Sequence, residues 1–471
     1  MKIAFVHYHL KASGVTTVLK QQVEAINDAC ELLILTGEPL EKPFPADTVY
    51  IPGMGYDEGE PRQTIDPQLV AESIIKAIFE KFNGTCDVLH VHNPTLAKNK
   101  NFLTLLKTLQ RKKINLFLQI HDFAEDGRPS SYFPDEYVPD CHYGVINSRD
   151  YGVLLKAGLK KEGTHIIFNM IDPFHFEDKD VKAGNHVLYP IRAIRRKNIG
   201  EAILLSRFFK NRETLSITLP PNSEADIKSY NGWKAYVKSN NLDVEFEAGL
   251  QQNFESLVLS SKFLITTSIT EGFGFSFLEP WTAKKLILGR RLAATCRDFE
   301  RNGIHLDHMY TNLLVPIEWV GKNVFFEKWR SWLSNRCKHF NFAIDEEKII
   351  EAFKKITQNG MIDFGLLDES FQKQILSRVL SGKTNADRLI RLNPYLQFPG
   401  NVSNRSDLIQ NNRKAVLRNY NKTIYKQNLM EIYRNVIRTS IRQKIDKQML
   451  LSQFLNPETF SLLKWSDYVE A

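Results

Sequence analysis

The chain has 471 residues, 43% of them hydrophobic and 25% charged. These are globular proportions with enough length for two large domains, and they exclude a disordered, collagenous or coiled-coil protein. The net charge is +8; ten Lys/Arg against two acids between residues 411 and 450 equal that whole excess, so no protein-wide field for nucleic acid exists.

No stretch reaches the roughly 18 apolar residues of a membrane-spanning helix. The first apolar run, Ile3-Ala4-Phe5-Val6, is too short for the core of an export signal. Five scattered cysteines (Cys30, Cys86, Cys141, Cys296, Cys337) form no Cys-x-x-Cys pair. They predict free thiols in a reducing cytosol rather than a zinc site. The glycosylation-like sequons at Asn83, Asn401, Asn404 and Asn421 then arise by chance.

In chain order, strands are predicted at residues 2–6, 31–36, 87–92, 115–120, 145–146 and 165–168. Helices at 15–25, 70–82 and 102–109 separate the first of them. This alternation means right-handed crossovers and a mostly parallel sheet, an α/β domain over 1–172. The polar stretch 173–185 predicts a linker. Strands at 186–189, 215–219, 244–246 and 263–267, with helices at 199–209, 226–239 and 254–259, predict a second α/β unit over 186–404 with a helical insertion. Over 405–471 the pattern is helical. Tyr425, Leu429, Ile432, Tyr433, Val436, Ile437, Ile441 and Ile445 recur at steps of three and four. That face either packs on the body with its basic side in water or lies on an anionic membrane.

Ligands of open α/β sheets bind beyond the carboxyl ends of the strands. After the first strand, His7 to Val15 carries a single glycine, Gly14, and no Gly-x-Gly-x-x-Gly, which argues against a nicotinamide or flavin enzyme. Gly14 would still admit an anion near the following helix start. His121 ends a strand, where it either donates to a sugar hydroxyl or satisfies a neighbouring carbonyl. His90 and His92 share one strand, but the sequence supplies no further ligands for a metal. Arg192, Arg195, Arg196 and Lys197 follow the strand at 186–189 and suit a diphosphate, or form a solvated basic loop. The strongest signal is Glu271-Gly272-Phe273-Gly274-Phe275-Ser276-Phe277-Leu278-Glu279. Two glycines at a helix start offer backbone N–H groups to phosphate. Two carboxylates eight apart are expected on one helical side, where they would read vicinal hydroxyls. At least two of the three phenylalanines are expected in the core. Three tempting matches fail: Ser381-Gly382-Lys383-Thr384 lacks the first glycine of a P-loop, Asp363-Phe364-Gly365 lacks the kinase loops, and Asp178-Lys179-Asp180 lies in the linker rather than after a strand.

In order, Ser13–Val18, Asp87–Asn93 with His121-Asp122, Arg192 and Lys197 five apart, and Glu271-x7-Glu279 resemble the motifs of retaining GT-B glycosyltransferases of the family 4 group. The segment 412–436, with Tyr420, Tyr425 and Tyr433, resembles the helix that closes back onto the first domain in that group. Ser13-Gly14 stands where many members have two glycines, Pro280 follows the second glutamate, and 290–404 is mostly unmatched.

The resemblance implies two Rossmann-like domains facing a central cleft, and hexose transfer with retention from a nucleotide-diphosphate sugar to a small-molecule, glycan or lipid acceptor. Arg192 and Lys197 would neutralise the leaving diphosphate, helped by the backbone around Gly272, Phe273, Gly274 and Phe275. Glu279 would bind the ribose, Glu271 and His121 the transferred sugar, and Gly14 would let backbone approach the phosphate or acceptor. Neither metal nor cofactor is implied, and the enzyme is expected in the cytoplasm, peripheral on the inner membrane face through its basic C-terminal helix. The alternatives are a sugar phosphorylase or nucleotide-sugar epimerase of the same fold, or a non-catalytic protein binding anionic surfaces through the basic tail.

Overall fold

The computed structural model describes residues 1–57, 65–174, 183–397 and 405–469. The chain forms two compact units: residues 1–170 with 420–455, and residues 171–419 with 456–471.

Unit 1 runs β1 (Lys2–His7), α1 (Gly14–Ile26), β2 (Glu31–Thr36), β3 (Thr48–Tyr50), α2 (Pro67–Phe82), β4 (Val88–His92), α3 (Phe102–Arg111), β5 (Leu116–Ile120), β6 (His142–Val145), α4 (Ser148–Lys156) and β7 (Thr164–Ile166). All seven strands are parallel, in the order β3-β2-β1-β4-β5-β6-β7. Successive side chains of a strand point to opposite faces. Ala4 and Val6 therefore join the core under α2 and α3, while Ile3 and Phe5 join the core under α1. Burial on both faces explains why these strands read as unbroken apolar runs.

Unit 2 begins with β8 (His186–Arg192), α5 (Ile199–Ser206), β9 (Thr214–Leu219), α6 (Glu224–Ser239), β10 (Val244–Phe246), α7 (Ala248–Gln251), α8 (Phe254–Ser260), β11 (Leu264–Thr266), α9 (Glu279–Thr282), β12 (Ile287–Gly289) and α10 (Ala293–Arg301). Its five parallel strands are ordered β10-β9-β8-β11-β12. The register of β8 on β9 shifts between Tyr189 and Arg192, where Pro190 has no N–H to give the ladder. Then come β13 (Leu314–Pro316), α11 (Lys322–His339), α12 (Glu346–Ile356), β14 (Met361–Asp363), α13 (Glu369–Ser381) and α14 (Lys383–Leu392). Strands β13 and β14 pair antiparallel, and neither was predicted. Ser381-Gly382-Lys383-Thr384 joins two helices, with no strand before it.

The tail is not one continuous element. It comprises α15 (Ser406–Asn419), α16 (Lys422–Arg438), α17 (Lys447–Phe454) and α18 (Leu462–Trp465). Of the expected crossing segment 405–471, only 420–455 joins unit 1; α15 and α18 belong to unit 2. Tyr425, Leu429, Ile432, Tyr433 and Val436 of α16 complete the core under α1, each such side chain contributing roughly 1.5–3 kcal/mol by leaving water. Ile437, counted on the same face, is exposed instead. Of the expected linker, residues 175–182 lie outside the described residues, as do Asp178-Lys179-Asp180, Asn401 and Asn404. All five cysteines are free thiols. No helix among the described residues is long and apolar enough to cross a membrane.

Candidate active site

In unit 2 the strand order reverses between β8 and β11, so the loops after these two strands bound the crevice where such sheets take ligands. Lys197 comes from the first loop and Glu271 from the second. Lys197 Nζ donates to Glu271 Oε1 at 2.5 Å. The loops are tied together beneath this pair. Tyr189 Oη donates to the Lys197 carbonyl at 2.6 Å and accepts the Thr267 N–H at 3.1 Å. Thr267 Oγ1 reaches the carbonyls of Lys197 and Asn198, and the Ile269 N–H donates to the Arg196 carbonyl. Asn198, at φ +53°, turns the chain from the loop into α5. Burial alone would raise the Glu271 carboxyl, but Lys197 first, and then Arg196, hold it below its ordinary value; the pair is ionised.

Of the four cations at and after the end of β8, only Lys197 is hydrogen-bonded to an acid of the loop after β11. Arg192 is exposed and donates Nη1 to the Pro220 carbonyl at 2.9 Å, away from the pair, so the Arg192–Lys197 combination expected from spacing is not assembled by any contact here. The cation acting on both Lys197 and Glu271 is Arg196. Arg195 is structural, its guanidinium forked onto Glu369 at 2.7 and 2.8 Å.

Glu271 and Glu279 do not share a helix, contrary to expectation. Glu271 is in the loop, a three-residue 3-10 turn spans Phe275–Phe277, and Glu279 opens the one-turn helix α9. Pro280 at the first helical turn and the short length leave little macrodipole for an anion. Gly274 has φ +93°, and a Cβ there would stand 3.0 Å from Phe277 Cδ2 and 3.1 Å from Thr295 Cγ2. Gly272 is a partly buried loop residue. Phe273 and Phe277 are core, Phe273 against Phe299; Phe275 is only partly buried. Ser276 Oγ is buried without a hydrogen-bond partner among the described residues, a feature the sequence did not single out. Burial, and then the negative charge of Asp172, push Glu279 up to about 7.

In unit 1 the order reverses between β1 and β4. Gly14 is the first residue of α1, whose N-cap Ser13 accepts the Thr16 N–H at 3.1 Å; the space over the Gly14 Cα is open. His121 follows β5 and is buried. Its Nε2 lies 2.8 Å from His92 Nδ1, at the end of β4. His90 instead serves the fold, between Tyr433 Oη at 2.9 Å and Gln119 Oε1 at 2.8 Å. His92 entered the sequence reading only within the Asp87–Asn93 strand, and as a member of a His-x-His pair lacking further metal ligands; its contact with His121 was not foreseen. Among the described residues no three His, Cys, Asp or Glu side chains converge as ligands.

Two Rossmann-like parallel sheets in one chain, with the helical tail divided between their units, make this a GT-B fold. No family model matches the chain. Over 413 residues it is 26% identical to mannosylglucosyl-3-phosphoglycerate synthase of Petrotoga mobilis, covering 78% of this chain and 79% of that protein. Among solved structures it resembles Anabaena HepE in complex with UDP-glucose (TM-score 0.53, 12% identity, 92% of this chain and 99% of that one). It also resembles sucrose-phosphate synthase of Thermosynechococcus elongatus (TM-score 0.52, 12% identity, 92% and 98%). A glycosyltransferase of Rickettsia africae matches with TM-score 0.52 at 10% identity, over 93% and 99%.

Proposed function

We propose that this chain is a glycosyltransferase of the retaining family 4 type, moving a hexose from a nucleotide-diphosphate sugar to an acceptor hydroxyl without a metal. The carrying observation is the ionised Lys197–Glu271 pair, delivered by the two loops that flank the sheet's reversal point, with Arg196 beside it. As the glycosidic bond breaks, negative charge grows on the leaving diphosphate, and cations already fixed there favour that state over the ground state. In this reading Lys197 exchanges part of its contact with Glu271 for phosphate oxygens, and Arg196 or a rotated Arg192 adds the second positive charge. Glu271 and His121 contact the transferred sugar, and Glu279 accepts from ribose hydroxyls. The acceptor proton passes to the leaving phosphate on the attacked face.

The relative from Petrotoga directs the first acceptor trials to glycosides of 3-phosphoglycerate. The protein is incubated with sugar nucleotides of several bases and such acceptors, with and without EDTA. The anomeric configuration of the product is read by NMR. Transfer with retention, unaffected by chelation and reduced about 10²-fold by Lys197→Ala or Glu279→Ala, supports the proposal. Consumption of inorganic phosphate, or inversion, overturns it. The proposal extends to peripheral membrane contact through the tail. Lys422, Arg434, Arg438 and Arg442 are exposed, whereas Lys426 and Lys444 are paired with Asp28 and Glu136. Co-sedimentation with anionic but not neutral vesicles tests that part.

A further inference from the structure

His121 is held from two sides by consecutive residues at the end of β4. Asn93, at φ +51°, turns its side chain back so that Oδ1 accepts the N–H groups of His121 at 2.8 Å and Asp122 at 3.2 Å. His92 takes the ring, Nδ1 to Nε2 at 2.8 Å, with the two imidazole planes only 14° apart. Burial holds both imidazoles below their ordinary pKa, His121 at about 4, so both are neutral at pH 7 and share one proton across this contact.

Which nitrogen donates follows from the cost of burying an N–H without a partner. His7 Nδ1 is buried and unpartnered among the described residues. His90 must donate Nε2–H to Gln119 Oε1, leaving Nδ1 to accept from Tyr433. His92 Nε2 is also buried and unpartnered among the described residues. A donor there would be an orphaned N–H, the rarer and costlier case. The proton therefore sits on His92 Nδ1, which makes His121 Nε2 the acceptor and puts the His121 proton on Nδ1, its remaining nitrogen.

We infer that His92 is a positioning residue that locks His121 in the Nδ1–H tautomer, so that His121 meets its ligand as a hydrogen-bond donor. The role in transfer rests on the proposed glycosyltransferase reading; the tautomer does not. Side-chain 15N NMR of the full, ligand-free chain is expected to show His121 protonated at Nδ1 and bare at Nε2. In His92→Leu, His121 loses its fixed tautomer and populates the Nε2–H form. His92→Asn, whose amide N–H can occupy the place of Nδ1–H, restores it. If the chain transfers sugar, His92→Leu is expected to lower kcat about tenfold or more with the donor KM little changed, and His92→Asn to recover most of the loss. A wild-type His121 protonated at Nε2 overturns the inference even if His92→Leu does not fold. So does an unchanged His121 spectrum in a folded His92→Leu. The expected tautomer without transfer from any sugar nucleotide would support the positioning inference and count only against the transferase reading.

Discussion

Removing the cation from the Lys197–Glu271 pair should expose how the second unit balances charge. The side chains are 16% and 9% exposed, so Lys197→Met leaves a carboxylate that water barely reaches. Stripping one partner from a fully buried pair costs about 3–5 kcal/mol. Here Arg196 and a hydrogen bond from Ser268 remain with Glu271, which reduces the expected cost to roughly 2 kcal/mol, or about 4 °C in the melting of a unit this size. The cost should depend on pH. In the wild type the Glu271 pKa is depressed, so its contribution is present above the ordinary carboxylate range and lost as pH falls. Without Lys197, burial raises it, and the variant loses stability as pH rises. The gap between the two proteins should therefore be widest near neutrality and shrink near pH 4. Thermal and urea unfolding of the unit 2 transition across this range, for Lys197→Met, Glu271→Gln and the double variant, measures it. The double variant should cost less than the sum of the singles. Additive costs, or a pH-independent penalty, would refute a coupled ion pair.

Acid should loosen unit 1 through its buried histidines. His7 and His90 are lowered to about 3 and His121 to about 4, chiefly by burial. Unfolded rings take up protons from about pH 6.5 downward while these do not, so stability present above that value is lost as pH falls, by about 3 kcal/mol for a ring such as His121; hydrogen exchange in β1, β4 and β5 at pH 7 and pH 5 checks this. Glu279, raised to about 7, is expected to bind nucleotide hydroxyls better as it ionises, so calorimetric affinity for a nucleoside diphosphate should rise from pH 6 to pH 8. Asp172→Asn, by removing a neighbouring negative charge, should move that midpoint down. Gly274→Ala should cost about 1–2 kcal/mol from the positive φ alone, with Phe277 and Thr295 adding to it, measured as a lowered denaturant midpoint.

Much of this was legible along the chain. Parallel strands buried on both faces are short apolar runs, and helices between them force crossovers, so both sheets and most of their strands could be placed from periodicity alone; the three-residue strands β3 and β12 were missed, and β6 was expected three residues late. Lys197, Glu271, Glu279 and His121 stood out because each follows such a strand. The sequence misplaced what depends on local turn geometry. Eight-residue spacing put Glu271 and Glu279 on one helix, yet a left-handed Gly274 and Pro280 break the segment into a 3-10 turn and a single helical turn.

What the sequence determined by itself was the periodic part, because hydrophobic burial and backbone hydrogen bonding act through fixed repeats of two and 3.6 residues. Partner choice among polar groups follows no such repeat. Arg192, Arg195 and Arg196 are chemically alike within five positions, and only the fold sends one to a carbonyl of Pro220, one to Glu369 and one beside Glu271. The bond from His92 to His121 joins residues 29 positions apart, at and just past the ends of adjacent strands. Likewise, the amphipathic stripe of α16 announced a buried face, but not that it would complete the core of unit 1 while α15 stayed with unit 2. A stripe states that apolar area must leave water; which surface receives it is decided by shape complementarity, and that exists only once the chain has folded.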